Sequence, residues 1–306
     1  MTSDAGSLAP TTRADADAIR SGSDSRSGGV RPRPHKRAQR RRRATPGLVA
    51  LFMAAALFIL VIGVPVLAIF LRVLPNEALV QIARKPVVLE ALRLSFETTA
   101  LTLLLSLVLG TPLAFLLARR HFPGQTVLDS LIELPMVLPP AVAGIGLLMA
   151  FGRRGLFGPL LASVGITVGF TTAAVVIAQF FVAAPFYVRA ARSGFLAVDQ
   201  ELEHVAHTLG VSSWATFWRV TVPVAMPSLL GGAVMCWARA LGEFGATIMF
   251  AGSFQGRTQT MPLAIYAALE ADLDAALVLS AILVVVSFAV LVALRLFVGR
   301  RLAATV

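Results

Sequence analysis

The chain has 306 residues, 57% of them hydrophobic and only 14% charged, with a mean hydropathy of +0.80. Soluble domains carry about 25% charged residues, so this composition excludes a soluble globular fold and points to an integral membrane protein. The formal net charge of +11 comes mainly from one stretch, "RPRPHKRAQRRRR" at 31–43, and describes a tail rather than the whole molecule.

In chain order, residues 1 to about 46 combine a Ser/Gly/Asp-rich start with that basic run and hold almost no large apolar side chains. Such a segment cannot bury enough surface to offset its ordering entropy, and it is expected to be a disordered basic tail. Its simplest role is a cytoplasmic topology signal. Attraction to anionic membrane lipid, worth roughly 1 kcal/mol per basic residue, would add to that, and no specific nucleic-acid partner is expected. The tail is too long for a cleavable signal peptide, and the apolar run after it is about a full membrane width.

A span needs about 20 predominantly apolar residues. Six stretches qualify, at about 47–71, 94–118, 131–151, 169–191, 223–250 and 274–297, so the fold class is an all-α membrane protein of six transmembrane helices. The third carries "ELPMVLPPAVAGIG", with Pro135, Pro139, Pro140, Gly144 and Gly146. Backbone disruption of that kind is tolerated at membrane depth only where protein or a water-lined cavity covers it. Pro139, Pro140 and Gly144 are therefore candidates for a pathway or an interface. The basic tail places the N-terminus in the cytoplasm, and residues 192–222 then lie on the cytoplasmic side. Cys236 is the one cysteine, so neither an intrachain disulfide nor a thiolate metal cluster is expected.

Between the fourth and fifth spans lies a different kind of segment, "DQELEHVAHTLGVSSWATFWRVTVP" at 199–223. Leu202, Val205, Ala206 and Leu209 follow helical spacing and predict one apolar stripe, with Glu203, His204 and His207 away from it. Asp199 can cap the helix start, and Glu201 and Glu203 sit where the helix dipole favours negative charge. Gly210 suits a left-handed helix end. Ser212 or Ser213 can then cap a second short helix bearing Trp214, Phe217 and Trp218, and Pro223 marks the entry to the fifth span. The prediction is a helix–elbow–helix knob projecting from the membrane. One reading makes it an interfacial helix lying on lipid; the other makes it a docking element with aromatic anchors. Arg219 is the one Lys or Arg between 193 and 222, whereas interfacial helices are rich in them, and this favours docking.

Glu203, Ala206 and Gly210, followed by Val220, Val222 and Pro223, resemble the "EAA…G…I-LP" signature of ABC importer permeases, with Val205, Val220 and Val222 as small apolar departures. The resemblance covers roughly 86–300. It implies a type I importer permease fold in which 199–218 is the coupling helix pair seated on a cytoplasmic ATP-binding subunit. Coupling would then rest on Glu203, Val205, Ala206, Leu209, Gly210, Trp214, Phe217 and Pro223. "LPMVLPPAVAG" (134–144), "FGRRGLFG" (151–158) and "ARALGEFGATIMFAG" (238–252) are similar to the molybdate branch, the last also to sulfate and tungstate permeases. By this resemblance the chain is a molybdate permease working as a homodimer with two ATPase copies and a periplasmic or surface-tethered binding protein. That protein would meet the outer loops at 152–168 and 251–273. Sulfate or tungstate transport is the alternative within the group.

The residues themselves carry no engine. Lys36 and Lys85 are the only lysines, and neither completes a phosphate-binding G-x-x-x-x-G-K-[ST] loop. "GSFQG" at 252–256 is not a nucleophile elbow, so an intramembrane hydrolase lacks an evident nucleophile and base. No catalytic residue, metal ligand or cofactor is expected. A receptor or scaffold using the basic tail is the remaining reading from another class, and it leaves the knob and the broken third span unexplained. Inside the fifth span, Arg239 and Glu243 are four apart on one predicted helix face. They could stand near an anion path or form an ion pair bracing Gly242 and Gly245, and the spacing favours the pair. Ser95, Thr98 and Thr99 could touch a passing oxyanion, depending on which way they face.

Overall fold

A computed structural model describes residues 46–74 and 79–303. The expected disordered tail, residues 1 to about 46, lies outside these residues apart from Pro46. The chain divides into two units, Met1–Ala55 and Ala56–Val306, and of the first only the start of helix α1 (Pro46–Val73) is described. Leu57, Phe58 and Ile59 of α1 are 63%, 68% and 70% exposed. An apolar helix so bare of neighbours can be at rest only in lipid or against another polypeptide. Its end is anchored, since Val73 packs with Ile82 of the short α2 (Leu79–Ala83) and with Val278 and Ala281 of the last helix, α13 (Leu273–Ala303).

The bundle centres on α7 (Thr172–Leu196), flanked by α3 (Pro86–Arg119) and α10 (Val222–Leu241). Small residues set these contacts. A Cβ added to Gly110 of α3 would stand 2.9 Å from the Tyr187 ring, one on Gly232 of α10 2.7 Å from Ala190 Cβ, and one on Gly194 of α7 2.5 Å from Ser228 Cβ. Where lipid tails are as apolar as leucine, close backbone approach is what makes helix packing favourable. Tyr187, Phe195, Leu117, Leu229 and Cys236 fill the shared core. Cys236 is a packed, fully buried side chain.

Two expected spans are not single straight helices. The third is α4 (Gln125–Val137) and α5 (Pro140–Phe151), meeting at 116°. Leu138 and Pro139 are both extended, with ψ of 135° and 133°, because each precedes a proline and neither proline can donate a backbone hydrogen bond. The fifth ends at Leu241, and a separate α11 (Gly245–Ala251) follows. Among the described residues, five helices are long and apolar enough to cross a membrane, or six if the bent pair counts as one span. The remaining pieces are α6 (Gly158–Ser163), α8 (Gln200–Thr208), α9 (Ser213–Thr216) and α12 (Met261–Ala271).

Candidate functional site

The segment at 199–218 forms the expected knob. Asp199 caps α8, its carboxylate accepting from Glu201 N at 2.9 Å. Gly210 closes it at φ +80°, with Gly210 N donating to His207 O at 2.9 Å and Val211 N to Ala206 O at 3.0 Å. That is the paired bonding of a left-handed helix end. Ser212 caps α9 through Ala215 N.

The faces of α8 differ from the expected stripe. Leu202, Val205 and Leu209 are 46%, 57% and 77% exposed, whereas Ala206 is buried. Ala206 therefore leaves the stripe and packs inward. Glu203 turns inward beside it. Arg119, the last residue of α3, donates to Glu203 Oε1 through NH2 at 2.7 Å and through Nε at 3.2 Å, and Thr221 Oγ1 donates to the same oxygen at 2.9 Å. The acid expected at a docking surface is instead an internal tie, because two cationic N–H groups and a hydroxyl offer it more than water does.

The second half of the knob is also built differently. Beyond α9 the chain runs without a break through a π-helical turn, Phe217–Thr221, into α10. Pro223 is the second residue of α10 and has no N–H, and Val222 N reaches back to Phe217 O, so the turn before the proline widens by one residue. Pro223 thus marks a widened turn in one long helix rather than the start of a new one. Phe217 faces the bundle, 4.9 Å from the Phe115 ring, which also meets Phe195 at 5.5 Å. Trp214 stacks on Phe217 and Trp218 meets it edge-on, and the two stay 71% and 50% exposed. The exposed large apolar side chains of the knob are therefore Leu202, Val205, Leu209, Trp214 and Trp218, and the two tryptophans also border a groove between α3 and α10 beside Phe115 and Met226.

A second constellation joins the two helix breaks. Gly144 of α5 lies against α11: an added Cβ would be 2.7 Å from both Ala246 O and Met249 Cβ. A Cβ on Gly245 would be 2.6 Å from Pro140 Cβ. Arg239 NH2 meets Glu243 Oε2 at 2.7 Å, and Glu243 Oε1 accepts from Ala246 N at 2.8 Å. The expected ion pair exists, but it bridges the end of α10 to the start of α11 instead of lying along one helix. Pro139 and Pro140 are exposed beside this contact, and Gly144 is buried in it.

The hydroxyls of α3 face into the bundle. Ser95, Thr98 and Thr99 are buried; Thr98 and Thr99 bond to Leu94 O and Ser95 O, and Ser95 Oγ accepts from Met261 N at 2.8 Å. Ser95 ties α3 to α12, Thr98 and Thr99 are spent on the backbone of α3 itself, and all three offer nothing to a passing anion. At the start of α7, Thr172 Oγ1 donates to Arg257 O at 2.9 Å and Phe170 N to Phe250 O at 3.3 Å, which gathers the loops after α5 and α11 at one pole. The 25 residues of α7 separate that pole from the knob by roughly 37 Å.

Residues 110–304 match the family described as binding-protein-dependent transport system inner membrane component. The chain belongs to this family. It is a multi-pass permease of the inner membrane and not itself an enzyme. The molybdenum transport system permease protein of Mycobacterium tuberculosis is 48% identical over 197 residues, 64% of this chain and 75% of its own. The molybdate/tungstate transport system permease protein of Thermococcus kodakarensis is 39% identical over 253 residues, 82% and 96% of the two chains. The Escherichia coli K12 molybdenum transport system permease protein is 42% identical over 182 residues, 59% and 80%. Among solved structures, a bacterial alginate ABC importer aligns with a TM-score of 0.68 at 14% identity, covering 83% of this chain and 95% of that one. A methionine ABC transporter aligns at 0.53 and 15%, covering 76% and 99%. These structures share the permease fold, that of type I ABC importers.

Proposed function

We propose that this permease imports molybdate as a homodimer. Two copies of an ATP-binding subunit grip the knobs at 199–218 from the cytoplasm, and a binding protein delivers the anion at the opposite pole. The observation that carries this reading is the outward apolar surface of the knob, Leu202, Val205, Leu209, Trp214 and Trp218, on a segment that otherwise carries acids and histidines. A surface of that kind outside the membrane is an anchor set for a protein partner. The molybdenum and molybdate/tungstate permeases among its relatives support molybdate or tungstate over sulfate. ATP binding and release would move the knobs as rigid bodies and switch the path between outward- and inward-facing states.

Copurification from native membrane, with molybdenum and tungsten measured on the binding subunit, tests the assembly. The expected outcome is an ATP-binding subunit in equal number to the permease, with molybdenum on the binding protein. Recovery of the permease without an ATP-binding subunit overturns the reading in favour of a receptor.

A further inference from the structure

The tie between Glu203 and Arg119 joins residues 84 apart in sequence and belongs to none of the surfaces above. Arg119 closes the 34-residue α3, and its side chain is 9% exposed against 18% for Glu203. Its guanidinium makes three bonds: two to the Glu203 carboxylate and one, from NH2 at 3.2 Å, to Val198 O in the link between α7 and α8. Thr221, buried in the widened turn, adds a fourth donor to the same node. The end of α3, the knob helix α8 and the root of α10 thus converge on one carboxylate oxygen, and the link after α7 joins them through the Arg119 guanidinium.

One turn earlier on α3, Phe115 holds Phe217 from the other half of the knob. The two contacts differ in kind. Ring-on-ring packing is weakly directional and lets the knob slide, whereas a forked, charge-assisted contact fixes direction as well as distance. With Phe115 alone, the knob could tilt under load without α3 following.

We propose that Arg119 is the positioning residue through which displacement of the knob reaches α3, its guanidinium clamping Glu203 and the Val198 carbonyl so that α3, α8 and the root of α10 move as one body. This rests on the coupling role proposed for the knob and assigns Glu203 to the permease interior rather than to the surface its partner touches. Force from the partner enters through the exposed apolar residues and leaves through this clamp.

The test uses the complete transporter in proteoliposomes, with molybdate uptake and ATP hydrolysis measured on the same preparation. Arg119→Gln should keep the ATP-binding subunit bound while molybdate moved per ATP hydrolysed falls about tenfold, the loss expected when a charge-assisted contact is removed. Glu203→Gln should fall similarly, and the double variant no further, since both changes cut one contact. Arg119→Lys, which keeps the charge but loses the fork, should recover part of the ratio. It also serves as the deciding variant should Arg119→Gln not accumulate: a ratio below wild type supports the clamp, and a wild-type ratio overturns it. Wild-type coupling in Arg119→Gln overturns the clamp as well, as does loss of the ATP-binding subunit in Glu203→Gln but not in Arg119→Gln. A wild-type permease that never retains an ATP-binding subunit overturns the coupling role itself, a result distinct from any of these.

Discussion

Gly210 turns left-handed at φ +80°, and a Cβ placed there would meet nothing within 4 Å. Any penalty for a side chain is therefore conformational, roughly 1–2 kcal/mol for an L-residue and more for a β-branched one, while asparagine adopts this region readily. Gly210→Val should insert normally yet lose most molybdate uptake, and Gly210→Asn should transport close to wild type. Equal uptake by the two variants removes the elbow from the coupling mechanism. Asp199, Gly210 and Ser212 were legible in the sequence because caps are local chemistry, decided within three or four residues. The inward turn of Glu203 and Ala206 was not. Helical spacing says which side chains share a face but not which face meets protein, and here the apolar stripe is the outward one. Arg119 carries no local signal of its role, since its partner lies 84 residues away in the chain.

The breaks in the third and fifth spans differ in how far they could be foreseen. Pro139 and Pro140 announce a disruption, although no local rule gives its 116° angle. The break after Leu241 lies in a stretch apolar enough to pass for one helix. It is fixed by Glu243, whose carboxylate finds Ala246 N and the Arg239 guanidinium together. The two breaks fit because Gly144 and Gly245 let α5 and α11 touch. Gly144→Leu should destabilise the permease by about 1–3 kcal/mol through overpacking, visible as a lower unfolding midpoint in detergent. Gly146→Ala, at a glycine with open space around it, should not. If both variants unfold at the wild-type midpoint, the α5–α11 contact is looser than described.

For the molecule as a whole, composition pointed to the membrane setting, apolar runs of about membrane width to the helical class, and a short motif to the family. Assembly was legible only through the resemblance, because what covers the exposed apolar side chains of α1 and of the knob lies outside the single chain. Orientation is open to a direct check, helped by the burial of Cys236, which keeps background labelling low. Leu209→Cys should react with a membrane-impermeant maleimide in inverted vesicles, and Arg257→Cys in right-side-out vesicles. Labelling of both from one side contradicts the arrangement. Adding the ATP-binding subunit should protect position 209.

The unbroken run from Ser213 through the widened turn to Leu241 has a mechanical corollary. Its 29 residues make a shaft about 43 Å long, with the tryptophans as crank at one end and the Arg239–Glu243 bridge as journal at the other. Torsion applied at Trp214 is either dissipated in the loosened coil at Phe217–Thr221 or delivered beside Pro140, so the stiffness of that coil sets the gearing between the two ends.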